Sequence, residues 1–131
     1  MHLIYIYGPP GVGKLTISRA LVDLTGFRLF HNHLVVDLAA SLFDRETPEY
    51  FEYIRVIRGA GFEAAARNGV SLVATGVYRG TEVQNEAMRW MLGPVLEHRG
   101  KPLFVQVTCE RDEWLQRVQS ESRAALNKIT D

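Results

Sequence analysis

The chain has 131 residues, the length of one domain at about 100–200 residues per domain, with 15 Lys and Arg against 15 Asp and Glu. Zero net charge argues against a dedicated nucleic-acid binder, and 47% hydrophobic residues argue against disorder. The single cysteine, Cys109, excludes an internal disulfide and a cysteine-rich zinc module and suits a reducing, cytoplasmic setting; no apolar stretch is long enough to span a membrane, and no leader pattern precedes the first apolar run.

The first predicted element is a strand, Leu3–Tyr7, closed by Gly8-Pro9-Pro10. A helix follows, with Ile17, Ala20, Leu21 and Leu24 on its expected apolar face and Gly26 as its stop. A short strand, Arg28–Phe30, leads to a second helix with Val35, Leu38, Ala39 and Leu42 facing inward. Thr47-Pro48 reads as an N-cap with proline at the first helical position. It opens a long helix in which Tyr50, Ile54, Ile57 and Gly61 share a face, and Asn68-Gly69 stops it. The third strand is Val70–Tyr78. The next helix carries Val83, Ala87, Met91 and Val95 to Gly100, with a kink or break expected at Pro94. The fourth strand is Leu103–Thr108, and Trp114, Leu115 and Val118 begin a last helix. Strands alternating with helices imply βαβ units and a parallel sheet. Such sheets bind ligands beyond the carboxyl ends of their strands, so the residues just after each strand carry the functional argument.

Strand one runs into Gly8-Pro9-Pro10-Gly11-Val12-Gly13-Lys14-Leu15-Thr16, which fits G-x-x-x-x-G-K between a strand and a helix. Glycines let successive N–H groups curl inward around phosphate oxygens, and the helix beginning near Lys14 aims its positive end at the same anion. The Lys14 ammonium suits β- and γ-phosphates. The candidate nucleotide-binding residues are therefore Gly8, Gly11, Val12, Gly13, Lys14, Leu15 and Thr16. The stretch resembles the loop of P-loop small-molecule kinases, above all adenylate kinases, which reads G-x-P-G-x-G-K-G-T. Leu15 is the one departure. The resemblance implies ATP as phosphate donor and Mg²⁺ held mainly through water and phosphate oxygens, with Thr16 the metal-side hydroxyl.

Strand two ends in Phe30-His31-Asn32-His33, where shikimate kinases, which share this loop, carry Asp-x-Asp. Three readings compete: His33 and Asp37, four apart on one helix face, touch a substrate hydroxyl; the two histidines bind a transition metal; or Asn32 caps the helix and the histidines pack as neutral groups. The substrate-facing reading is preferred, with Asp37 as the base that takes the acceptor's proton. Strand three ends in Thr75-Gly76-Val77-Tyr78-Arg79, similar to the Asp-Gly-Phe-Pro-Arg segment of nucleoside monophosphate kinases with Thr75 in place of aspartate and Tyr78 in place of proline. Arg79 is a candidate clamp on a substrate anion or the transferring group. Arg55 and Arg58, one turn apart on the long helix, are candidates for holding the acceptor. The resemblance also implies an arginine-bearing lid in the C-terminal stretch, with Arg117 and Arg123 as its candidates.

The expectation is a single domain, residues 1–131, an α/β P-loop three-layer sandwich with parallel strand order 2-3-1-4 and helices on both faces. The fifth strand and closing helix of the relatives are not read, so a fragment or a minimal form is expected, and the unpaired edge of strand four leaves room for a homodimer. The expected function is an ATP-dependent phosphotransferase acting on a small hydroxylated or phosphorylated metabolite, with Lys14, Asp37, Arg79 and Arg123 in catalysis. Against it stand a nucleotide-binding module without kinase activity and an NTPase on nucleic acid; the latter is disfavoured by neutral charge.

Overall fold

The computed structural model describes residues 1–9, 11–76 and 81–108. In chain order the elements are β1 (His2–Tyr7), α1 (Lys14–Thr25), β2 (Arg28–Phe30), α2 (Asn32–Ala40), α3 (Pro48–Arg67), β3 (Leu72–Gly76), α4 (Glu82–Glu97) and β4 (Lys101–Gln106). The four strands form one parallel sheet in the order β2-β3-β1-β4, as expected. The last helix begun by Trp114, Leu115 and Val118 lies outside the described residues.

Side chains of adjacent strand residues point to opposite faces, and the two faces have separate cores. On one, Leu3 and Tyr5 of β1 and Leu72 and Ala74 of β3 pack beneath Phe62, Ala65 and Ala66 of α3 and Met91 and Val95 of α4. On the other, Ile6 and Val73 join Val107, with Leu21 and Val22 of α1 and Leu29 of β2 against them. These are the three layers. A third cluster joins Val36 and Ala39 of α2 to Tyr50 of α3. The strands at the middle are apolar because helices cover both sides, and β3 is buried throughout. β4 is different: it forms an edge of the sheet among the described residues, and Leu103 (58%) and Phe104 remain exposed.

Local rules placed the helix ends. Gly26 closes α1 with φ 75° and its N–H on the Val22 carbonyl. Thr47 caps α3 by accepting the Tyr50 N–H, with Pro48 at the first position. Other expectations are corrected. α4 runs unbroken through Pro94: the proline forgoes the bond to the Trp90 carbonyl, and Met91 and Val95, buried on either side, hold that turn to the core. β4 begins two residues earlier than Leu103, since His2 of β1 pairs with Lys101. Ile17, Ala20 and Leu24 are exposed, Leu24 at 83%; α1 instead turns Lys14, Ser18, Leu21 and Val22 inward. In α2 the buried stripe is Val35, Val36 and Ala39, while Leu38 and Leu42 are exposed. Contact with Tyr50, Tyr53 and Ile54 of α3 sets that rotation.

Candidate functional site

The loop between β1 and α1 is anchored at both ends. Tyr7 ends β1, and its carbonyl accepts the Val107 N–H at 2.8 Å. Gly8 comes next, packed so closely on the Val107 carbonyl that a Cβ there would collide with backbone. Val12 is buried with Ile6, Val73 and Val107, pinning the middle of the loop. Gly11 and Gly13 sit at φ 78° and 93°, the left-handed region that side chains resist. Gly13 is the N-cap of α1 and gives it no side-chain cap.

Lys14 is fully buried, not held out on the loop surface as its place in the motif suggests. Its Nζ donates to the Gly8 carbonyl at 2.9 Å, bringing a cation to the start of the loop from the start of the helix. Ser18, one turn on, donates to the Lys14 carbonyl at 2.6 Å. Leu15 is half-buried, and Thr16 is exposed on the first turn. A buried ammonium beside a glycine-rich turn at a helix N-terminus is a setting that suits an anion. The residues present suit the phosphates of a nucleotide, and the Thr16 hydroxyl is the oxygen available on the first turn for a cation that accompanies them.

The ends of β2 and β3 are joined by side chains. Thr75, buried at the end of β3, accepts the Asn32 backbone N–H on its Oγ1 at 2.8 Å. Asn32 is therefore the first residue of α2 and not its cap; His31 holds the cap position without a side-chain bond, and Thr75 satisfies a helix-end donor from 43 residues away. The Asn32 Oδ1 accepts a hydrogen bond from Arg58 Nη2 of α3. His31 and His33 bring their rings to 5.7 Å centroid separation. Among the described residues no three His, Cys, Asp or Glu side chains gather as a metal site, so the metal reading of the histidine pair lacks a further ligand there. Asp37 is exposed one turn beyond His33.

Arg58 and Arg55 diverge although one turn apart. Arg55 donates through Nε and Nη2 to the two carboxylate oxygens of Glu52, at 3.1 and 2.6 Å, and lies 4.7 Å from the Trp90 ring centroid. The bonded Glu52 carboxylate, aided by its charge, raises the Arg55 pKa above its already high ordinary value. The structure thus brings Arg58 to the strand ends and directs Arg55 to the seam between α3 and α4. Arg79, Arg117 and Arg123 lie outside the described residues. The Thr75–Asn32–Arg58 connection had no signal in the sequence, because its members are 43 and 26 residues apart.

No known family profile and no curated protein matches the chain. Solved structures do. A candidate kinase from Chloroflexus aurantiacus is 20% identical with a TM-score of 0.75, covering 97% of this chain and 70% of its own. A sugar kinase from Janibacter is 17% identical (TM-score 0.63), covering 100% of this chain and 80% of its own. Shikimate kinase from Acinetobacter baumannii, solved with shikimate, is 23% identical (TM-score 0.59), covering 97% and 67%. The chain shares the fold of these structures: four parallel strands in the order 2-3-1-4 with helices around them. No described helix is long and apolar enough to cross a membrane.

Proposed function

We propose that the chain is an ATP-dependent phosphotransferase that uses Mg²⁺ and acts on a small hydroxylated or phosphorylated metabolite. The observation that carries this reading is the loop itself. Gly11 and Gly13 are in the left-handed region, Gly8 is locked under Val107, and the buried Lys14 ammonium bonds back to Gly8. That geometry suits the β- and γ-phosphates, whose charge the ammonium and the α1 amides would balance as the γ-phosphoryl group leaves. Thr16 would face the metal, and Arg58 would stand on the acceptor side with His33 and Asp37. Arg79, Arg117 and Arg123 are proposed to supply charge from the β3 end and from a closing lid. The kinase fold of the structural neighbours agrees with this reading.

Lys14→Met tests it. Methionine keeps most of the buried stem, so the fold should survive while the charge is lost. Calorimetry with Mg²⁺–ATP should show affinity falling by about 10- to 150-fold, the worth of a hydrogen bond to a charged group. Unchanged affinity in a folded variant would remove the phosphate-loop assignment.

A further inference from the structure

The phosphate loop is held in shape in two ways. One is local: Gly11 and Gly13 take left-handed backbone, and Lys14 bonds back to Gly8. The other comes from the opposite end of the chain. Val107 is the residue after β4, and it meets the loop through backbone and side chain alike. Its N–H donates to the Tyr7 carbonyl, which carries the β1–β4 ladder one residue past the strand. Its carbonyl lies so close to Gly8 that a Cβ there would run into it. Its side chain is buried in one cluster with Val12 of the loop and with Ile6 and Val73 of the sheet. A Cβ on Gly8 would also crowd the Val12 Cγ2 methyl, so the Val107 peptide, Gly8 and Val12 are packed together.

We propose that Val107 is the positioning residue of the phosphate loop, setting the place of Gly8 and, through the Gly8 carbonyl, that of the Lys14 ammonium. This rests on the reading that the loop takes the phosphates of ATP. Val107 has no polar side chain to offer a phosphate, so whatever it contributes to binding goes through the loop. The contact leaves little slack. Gly8 rests with its bare backbone on the Val107 peptide, and a shift of that peptide is passed on to Gly8. The Gly8 carbonyl accepts from Lys14 Nζ at 2.9 Å, so the ammonium follows it. Glycine backbone is free to take many conformations, and a loop with several glycines must lose that freedom when it closes on an anion. A contact that orders the loop beforehand lowers this cost and tightens binding. Valine suits the task because its two branches at Cβ restrict χ1 and make it a stiff wedge. Alanine would leave a space among Ile6, Val12 and Val73, into which Val12 and the Val107 peptide would relax.

The test uses the full chain and calorimetry with tripolyphosphate and with Mg²⁺–ATP, beside urea unfolding. Val107→Ala should weaken both ligands by about 3- to 30-fold, the range for residues that act without touching the ligand. Val107→Ile keeps the branched wedge and should bind both as the wild type does. Val95→Ala is the control for stability alone, since Val95 of α4 is fully buried in the core on the other face of the sheet. It should lower the urea midpoint and leave both affinities as they were. If Val107→Ala does not fold, Val107→Leu takes its place: leucine keeps the apolar bulk, moves the branch off Cβ and should show the same loss. A folded Val107→Ala, or Val107→Leu in its stead, that binds tripolyphosphate like the wild type would overturn the proposal. So would an equal loss in Val95→Ala, which would make the effect one of stability, or a loss for Mg²⁺–ATP alone, which would put it outside the phosphates. Each of these outcomes leaves the phosphotransferase reading standing. A wild-type chain that binds neither ligand would overturn that reading and the proposal with it.

Discussion

Thr75 stands at the end of β3, where the nucleoside monophosphate kinase segment that this stretch resembles carries an aspartate, and the structure gives its hydroxyl an occupation. Buried and aimed across the sheet, Oγ1 takes the Asn32 N–H. That donor belongs to the first turn of α2, which no side chain of its own caps. Valine at this position keeps the shape and removes the acceptor. Thr75→Val should therefore cost about 1–3 kcal/mol, the penalty for leaving a buried donor unpaired. Urea denaturation measures it. A change below about 0.5 kcal/mol would mean that water takes over the bond, since net hydrogen-bond worth starts near that value.

At the scale of elements, α3 is the component that other elements fit into. Its glycines are where they do so. A Cβ on Gly59 would meet the Trp90 ring of α4, and one on Gly61 would run into the Phe30 ring of β2. Phe30 in turn packs edge-on against Phe62, with centroids 5.9 Å apart. Two effects oppose each other in Gly61→Ala. Alanine favours the helix by about 0.5–1 kcal/mol. Overpacking a filled site costs about 1–3 kcal/mol, and the Phe30 ring has Phe62 behind it. The expected outcome is a net loss of stability in thermal or chemical unfolding. A more stable variant would show that the Phe30 ring is free to swing aside. Arg55, one turn before Gly59, shows the same seam from outside: its guanidinium covers the Trp90 ring while Glu52 holds its donors.

For the whole molecule, the loop adds a second tie between β4, the core under β3 and the start of α1. Gly8 touches the Val107 carbonyl after β4, Val12 sits in the core under β3, and Lys14 begins α1. A ligand that fills the loop therefore stabilises the domain as a unit. At 100 times its dissociation constant, Mg²⁺–ATP should add about 2.7 kcal/mol, which raises Tm by roughly 8–14 °C in a domain of this size. Tripolyphosphate, which has the phosphates without the base, should also raise Tm in the wild-type chain. Lys14→Met should lose most of both shifts. A shift with ATP but none with tripolyphosphate would place the main binding energy outside the loop.

What the sequence determined by itself is what depends on neighbours a few residues apart. The glycine turns at Gly11 and Gly13, the stop at Gly26 and the start at Thr47-Pro48 are of that kind, since left-handed backbone, a missing N–H and a capping hydroxyl act within one turn. The strand order came with the resemblance of the loop after β1 to that of the P-loop kinases and not from the spacing of the strands, and the sheet has that order. The rotation of each helix was decided only by tertiary structure. In α1 the apolar count pointed to Ile17 and Leu24, yet the sheet receives Lys14 and Ser18 at the end where the loop turns in. Burial of a charge there is unfavourable locally and is compensated in part by the Gly8 carbonyl, which accepts from the ammonium. Likewise nothing near Asn32 in the chain announces Thr75 or Arg58. The pairing exists because β3 and α3 pass the end of β2, and the energy of that contact belongs to the packing of three elements and not to any one of them.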